Sequence, residues 1–166
     1  MASTCADSIA SRNGEVWIEA SGGDARLAGT TQATGSGAGQ TGGRIVTTGK
    51  NVTLASGSVT DASGAAGGGQ VLVGGGWQGK DATIATAGSV TQQAGAAIKV
   101  DATANGTGGT AVLWSADATR MDGTISARGA GSGTGGQVET SSKGVLGLGG
   151  NVDVAADSGK GGNWLL

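Results

Sequence analysis

The sequence predicts an all-β fold, a three-sided parallel β-solenoid of about five to six coils. Three observations carry that expectation. The first is a repeat: glycine followed by a short apolar alternation recurs at Gly14, Gly43, Gly69, Gly109, Gly136 and Gly162. The intervals are 29, 26, 40, 27 and 26 residues, a register that glycine richness alone would not keep. The second is the period of the apolar residues, which alternate as in strands and nowhere follow a helical spacing of useful length. The third is composition. Glycine fills 37 of 166 positions, and Ala, Thr and Ser bring the small residues to 98. Val, Ile and Leu number only 27, too few for a thick core of helices on a sheet. Ten basic residues nearly cancel twelve acidic ones, so the low apolar content lacks the high net charge of a disordered chain.

Each unit divides into three short strands. The first follows the glycine, as in Glu15-Val16-Trp17-Ile18, Arg44-Ile45-Val46-Thr47 and Gln70-Val71-Leu72-Val73. Later copies are Thr110 to Leu113, Gln137 to Thr140 and Asn163 to Leu166. Apolar residues return as Val52/Leu54 and Val145/Leu148, and once more as Val59, Ile125 and Val152. A small-residue tract then closes the unit, as in Ala62-Ser63-Gly64 and Ala127-Arg128-Gly129. Three short strands cannot bury their own apolar row, but stacked copies can. Glycine at the corners is expected to supply positive φ. Residues 1–13 read as an N-terminal tail or cap, and 14–166 as the solenoid. The long unit between Gly69 and Gly109 predicts an insertion around 77–93, either a protruding loop or an added strand pair.

Several chemistries are excluded or left unsupported. With no histidine there is no serine–histidine or cysteine–histidine nucleophile and no imidazole metal site. Asp81, Asp101, Asp117 and Asp122 fall at expected turns, where Asp satisfies local backbone groups, so no catalytic or metal-binding residue is assigned. The glycine runs match neither a phosphate loop nor the calcium-binding nonapeptide, and no cofactor is expected. Asn51-Val52-Thr53 and Asn105-Gly106-Thr107 have the form of glycosylation acceptors, but 19 threonines make chance matches common. The lone Cys5 reads as a free thiol. The near-balanced charge gives no reason to expect nucleic acid, no apolar stretch spans a membrane, and Met1 to Ala10 lacks the pattern of a secretory signal.

Residues 106–117 (GTGGTAVLWSAD), Thr119 to Gly129, Gly135 to Lys143 and Gly161 to Leu166 together resemble the repeat region of filamentous-haemagglutinin-type adhesins. These are large bacterial surface proteins exported by two-partner secretion. The resemblance is strongest over 106–166 and fainter back to about residue 14. It implies a right-handed parallel β-helix, a cell-surface fibre and an extracellular location, and it brings no catalytic residues. The secretion domain of such proteins is not recognisable, so the chain is expected to be a piece of a longer fibre or a short relative.

The third residue after each repeat glycine should face outward if its neighbours face in. Reading down that position gives Trp17, Val46, Leu72, Val112, Glu139 and Leu165, and five of the six are apolar. A strand apolar on both faces is normally covered on both. The row Trp17, Val46, Leu72, Val112 and Leu165 is therefore expected to be an interaction stripe, packed against another chain or against the insertion near Trp77. Trp164-Leu165-Leu166 reads as an end-stacking strand for self-assembly into a filament. The expected function is structural and adhesive, not enzymatic. Its partners are copies of itself and a host or neighbouring-cell receptor or glycan. The alternative is an ice- or carbohydrate-binding solenoid with Thr53, Thr60, Thr83, Thr91 and Thr124 facing outward.

Overall fold

A computed structural model describes residues 8–12 and 15–166, in which the regular elements are strands apart from one 3-10 turn. The first coil carries β1 (Ser8–Arg12), β2 (Glu15–Leu27) and β3 (Thr30–Gln32), and the second carries β4 (Arg44–Leu54) and β5 (Val59–Asp61). In the third are β6 (Gln70–Val73), β7 (Ser89–Gln92) and β8 (Ala97–Lys99). Next come β9 (Thr110–Ser115), β10 (Ala118–Met121) and β11 (Thr124–Ser126), then β12 (Gln137–Ser142), β13 (Val145–Leu148) and β14 (Asn151–Asp153). The sixth turn opens with β15 (Asn163–Leu165).

Equivalent strands of successive coils pair in parallel. The first face stacks the start of β2, the start of β4, β6, β9, β12 and β15. The second stacks the ends of β2 and β4 with β7, β10 and β13. Because β2 and β4 run through both, these two faces form one bent sheet, while β3, β5, β8, β11 and β14 make the third face. The result is a three-sided parallel β-solenoid of about six turns.

Alternation sends every other side chain into a narrow lumen. Ile45, Val71, Ala111 and Val138 line up in one inner column of the first face, all fully buried. Ile98 and Ile125 do the same from the third face. The column stays narrow because it is built from β-branched side chains and one alanine, Ala111, with no aromatic ring among the buried members.

The Gly-Gly corner closes each coil on itself. Gly69 donates its N–H to Ala62 at 2.7 Å, Gly109 to Val100 at 2.6 Å and Gly136 to Ala127 at 2.7 Å. The carbonyl of the same glycine accepts from the next coil, as Thr110 N–H to Gly69 at 2.9 Å and Gln137 N–H to Gly109 at 2.9 Å. A Cβ on Gly69, Gly109, Gly136 or Gly162 would be driven into the carbonyl of its counterpart one coil earlier. None of these glycines has positive φ. Close approach, not the positive φ expected, explains glycine at this corner. Positive φ occurs instead where the second face turns into the third, at Gly57 (φ 81°) and Gly95 (φ 85°).

Three features depart from the sequence reading, and a fourth adds detail to it. The insertion covers 74–88, not 77–93, because β7 pairs with β4 and β10 as an ordinary strand of the second face. Its inward Gln92 hid it from the hydrophobic pattern; this side chain is fully buried and donates to the carbonyls of Ala96 and Thr124. On the third face Thr60, not Val59, stands in the inner column with Ile98. The two neighbours are isosteric, so the pattern could not choose between them. Val145 pairs with the outer-row Ala118 and is 69% exposed, and Leu146 and Leu148 take the inner positions. Finally, within the expected tail or cap, Ser8–Arg12 pair antiparallel with Glu15–Glu19. Cys5 and Gly14 lie outside the described residues.

Candidate functional site

Residues 74–88 form a strap. The chain leaves the first face at Val73 and rejoins the second at Ser89. Val73 pairs with Thr47 and Ser89 with Asn51, so the second coil spans the same gap with only Thr48, Gly49 and Lys50. The extra length folds back over the outer surface of the first face, with a 3-10 turn at Trp77–Gly79.

Beneath it lies the row anticipated from the sequence. Trp17, Val46, Leu72, Val112, Glu139 and Leu165 are successive partners across the parallel ladder. Val46 and Val112 are fully buried and Leu72 nearly so. With Ile84 from the strap they form a second apolar cluster outside the lumen, flanked by Trp17, Trp77 and Trp114. Of the two partners expected for the row, the insertion occupies its middle. Trp17 and Leu165, at its ends, are half-buried.

Polar contacts fasten the strap at both sides. Arg44 reaches Asp81 at 3.2 Å and Glu15 at 3.4 Å, and its guanidinium lies 5.6 Å from the ring centre of Trp17. Trp17 Nε1 donates to Glu15 at 2.8 Å, and the Thr48 hydroxyl donates to the Ala85 carbonyl. Glu139, 1% exposed, accepts the Gln78 N–H at 2.7 Å. Gln78 sits at φ 53°, the single positive-φ residue other than glycine among the described residues. The carboxylate thus holds the strap in its one strained position. Gly75 and Gly79 make room for the Trp114 indole, on which a Cβ at either position would press.

The sequence reading placed the row but not these fasteners. Glu139 was visible only as the one polar break in it. A buried acid needs a donor, and that break was the available signal.

Hydrogen bonds from the Trp17 indole and from Arg44, with the Arg44 charge, hold the Glu15 carboxyl below its ordinary range. The Thr83 hydroxyl and N–H, then the Arg44 charge, do the same for Asp81. Both groups are depressed by folding, so they stabilise the strap above the ordinary carboxylate range. That contribution is lost as pH falls through their folded values. Acidification from neutrality should leave the tryptophan emission unchanged until below about pH 4, then shift it to the red as Trp17 and Trp77 become wetter. An Asp81→Asn variant should show a smaller acid-dependent change.

The remaining candidates scatter. Thr53 and Thr91 are neighbours on the outer second face, Thr124 lies on the third face and Thr83 on the strap. Thr60 is inside the lumen, so the five threonines do not share one face. Asp101 accepts from the Ser126 hydroxyl and the Arg128 N–H, and Asp122 pairs with Arg120, which are local structural roles. Among the described residues no group of three or more acidic, Cys or His side chains is placed to hold a metal. No helix among them is long and apolar enough to cross a membrane.

On the last rung, Trp164 stands in register with Val138 and gives its indole N–H to the Thr140 hydroxyl at 2.9 Å. Trp164 is 40% exposed, Leu148 41% and Leu166 61%, with Leu165 between them half-buried. At the other end β1 covers the first-face edge of β2 in antiparallel fashion.

These features define the class: a parallel β-solenoid with an external strap. No protein-family model and no curated protein sequence matches the chain. Among solved structures it is similar to the crystal structure of the HMW1 secretion domain from Haemophilus influenzae, at 27% identity and a TM-score of 0.67. The match covers 90% of this chain and 39% of that one. The sequence resemblance pointed to an adhesin repeat region with no recognisable secretion domain. The structural likeness falls on a secretion domain, which supports the β-solenoid type without singling out a repeat region.

Proposed function

We propose that the chain is a structural and adhesive β-solenoid belonging to an extracellular bacterial surface fibre, with no catalytic role. The observation that carries this reading is the continuous parallel stacking of the coils, whose register shifts only in the first coil between Ala20 and Asp24, taken with the likeness to the HMW1 secretion domain. A rigid, repetitive rod suits a fibre, since each added coil extends it by roughly 4.8 Å. In the last described coil Trp164 stands in register with Val138 of the inner column, so the same parallel geometry accepts a further coil. Identical chains joined head to tail through the first face would have to displace β1. Immunogold electron microscopy of intact, unpermeabilised cells of the producing bacterium tests the fibre reading. Gold on surface fibres is expected, whereas gold found only inside sectioned cells would overturn the reading.

A further inference from the structure

Between the strap and the outer first face lies a groove of about 390 Å³, lined by Arg44, Gln70, Trp77, Lys80, Asp81 and Thr110 with Leu72 at its floor. That volume falls within the range of small-molecule sites, which combine an aromatic or apolar wall with a few convergent polar groups. Here the wall is the half-buried Trp77 indole beside Leu72. The polar groups are a carboxamide at Gln70, a hydroxyl at Thr110, an ammonium at Lys80 and the Arg44–Asp81 pair. Arg44 is fixed by two carboxylates, yet its Nε is buried and has no hydrogen-bond partner. A buried donor without an acceptor costs free energy.

We infer that this groove binds a neutral saccharide unit, its C–H face on Trp77 and its hydroxyls among Gln70, Thr110, Lys80 and Arg44. Three properties select that class. The site's charges balance, Arg44 and Lys80 against Asp81 and the adjoining Glu15, so a charged ligand gains little. Its polar groups both donate and accept, as a hydroxyl requires of its neighbours. Its wall is a flat, rigid ring already held by the cluster of Val46, Leu72 and Ile84, so little ordering is needed on binding.

The inference rests on the adhesive reading for its biological setting, but its test uses the purified chain alone. Failure of surface labelling would sink the fibre and leave the groove, and the reverse also holds. Saturation-transfer NMR with methyl glucoside, methyl mannoside and methyl galactoside should show transfer to ring C–H protons for at least one of them. Gln70→Ala and Lys80→Ala, both at exposed positions, should each weaken that binding about tenfold, as loss of one hydrogen bond implies. Trp77→Phe keeps an aromatic ring over the cluster and should retain weaker binding. No transfer from any neutral glycoside, equal binding by the Gln70 variant, or preference for N-acetylneuraminic acid would each overturn the inference.

Discussion

Gly109→Ala is expected to destabilise the fold by about 3 kcal/mol or more, the range of overpacking that the backbone cannot absorb. The new methyl would meet the carbonyl of Gly69 and the backbone of Gly68, not the movable end of a side chain. Relieving it means parting two rungs at the corner where Thr110 N–H bonds Gly69 and Gly109 N–H bonds Val100. Both the closure of a coil and its stacking are therefore strained by one atom. In urea the midpoint should fall by about 1.5 M for a slope of about 2 kcal/mol per M. Gly29→Ala is the control: nothing lies within 4 Å of its Cβ position, and its effect should stay within about 0.5 kcal/mol. Equal stability of the two variants would show that the corner is not packed as described.

Replacing residues 74–88 with Thr-Gly-Lys, the span by which the second coil joins its faces, should leave the solenoid folded but make it self-associate. The connection is geometrically sufficient because Val73 and Ser89 are in register with Thr47 and Asn51. It removes Ile84 and Trp77 from above Val46, Leu72 and Val112, leaving a contiguous apolar patch facing water. Re-exposing side chains of this size costs about 1.5–3 kcal/mol each, which lateral pairing would recover. Light scattering should report dimers or larger species at micromolar concentration. Adding Leu72→Thr and Val112→Thr to the same variant should return it to the mass of the parent. A strap-less protein that keeps the parent's mass would show that the strap is not what shields the row.

The fold was legible in the sequence because its signal is redundant: six glycine-led alternations reported the same coil, and the outer row could be read down their third positions. Single-residue assignments were less secure. Val59 and Thr60 have the same shape, so only the ladder shows which one enters the lumen. Gln92 looked foreign to a strand because one of the carbonyls that accept from it, Thr124, is distant in sequence. The role of the Gly-Gly corner was misjudged for a related reason. A glycine required by a neighbouring coil looks the same in sequence as one required by its own φ. The strap groove was legible only in pieces, since Arg44, Gln70 and Thr110 come from three coils and meet Trp77 only after stacking.

Units of unequal length each add one rung to the same parallel ladders. Thr30, Val59, Ala97, Thr124 and Asn151 are successive partners on the third face, four steps in all, although the strap lies within that span. Pulsed electron spin resonance between labels at Thr30→Cys and Asn151→Cys, with Cys5→Ser as background, reads that distance directly. Four rungs predict a backbone separation of about 19 Å, seen as a single narrow distribution once the label arms are allowed for. A broad distribution, or one centred beyond about 30 Å, would contradict the stacked solenoid.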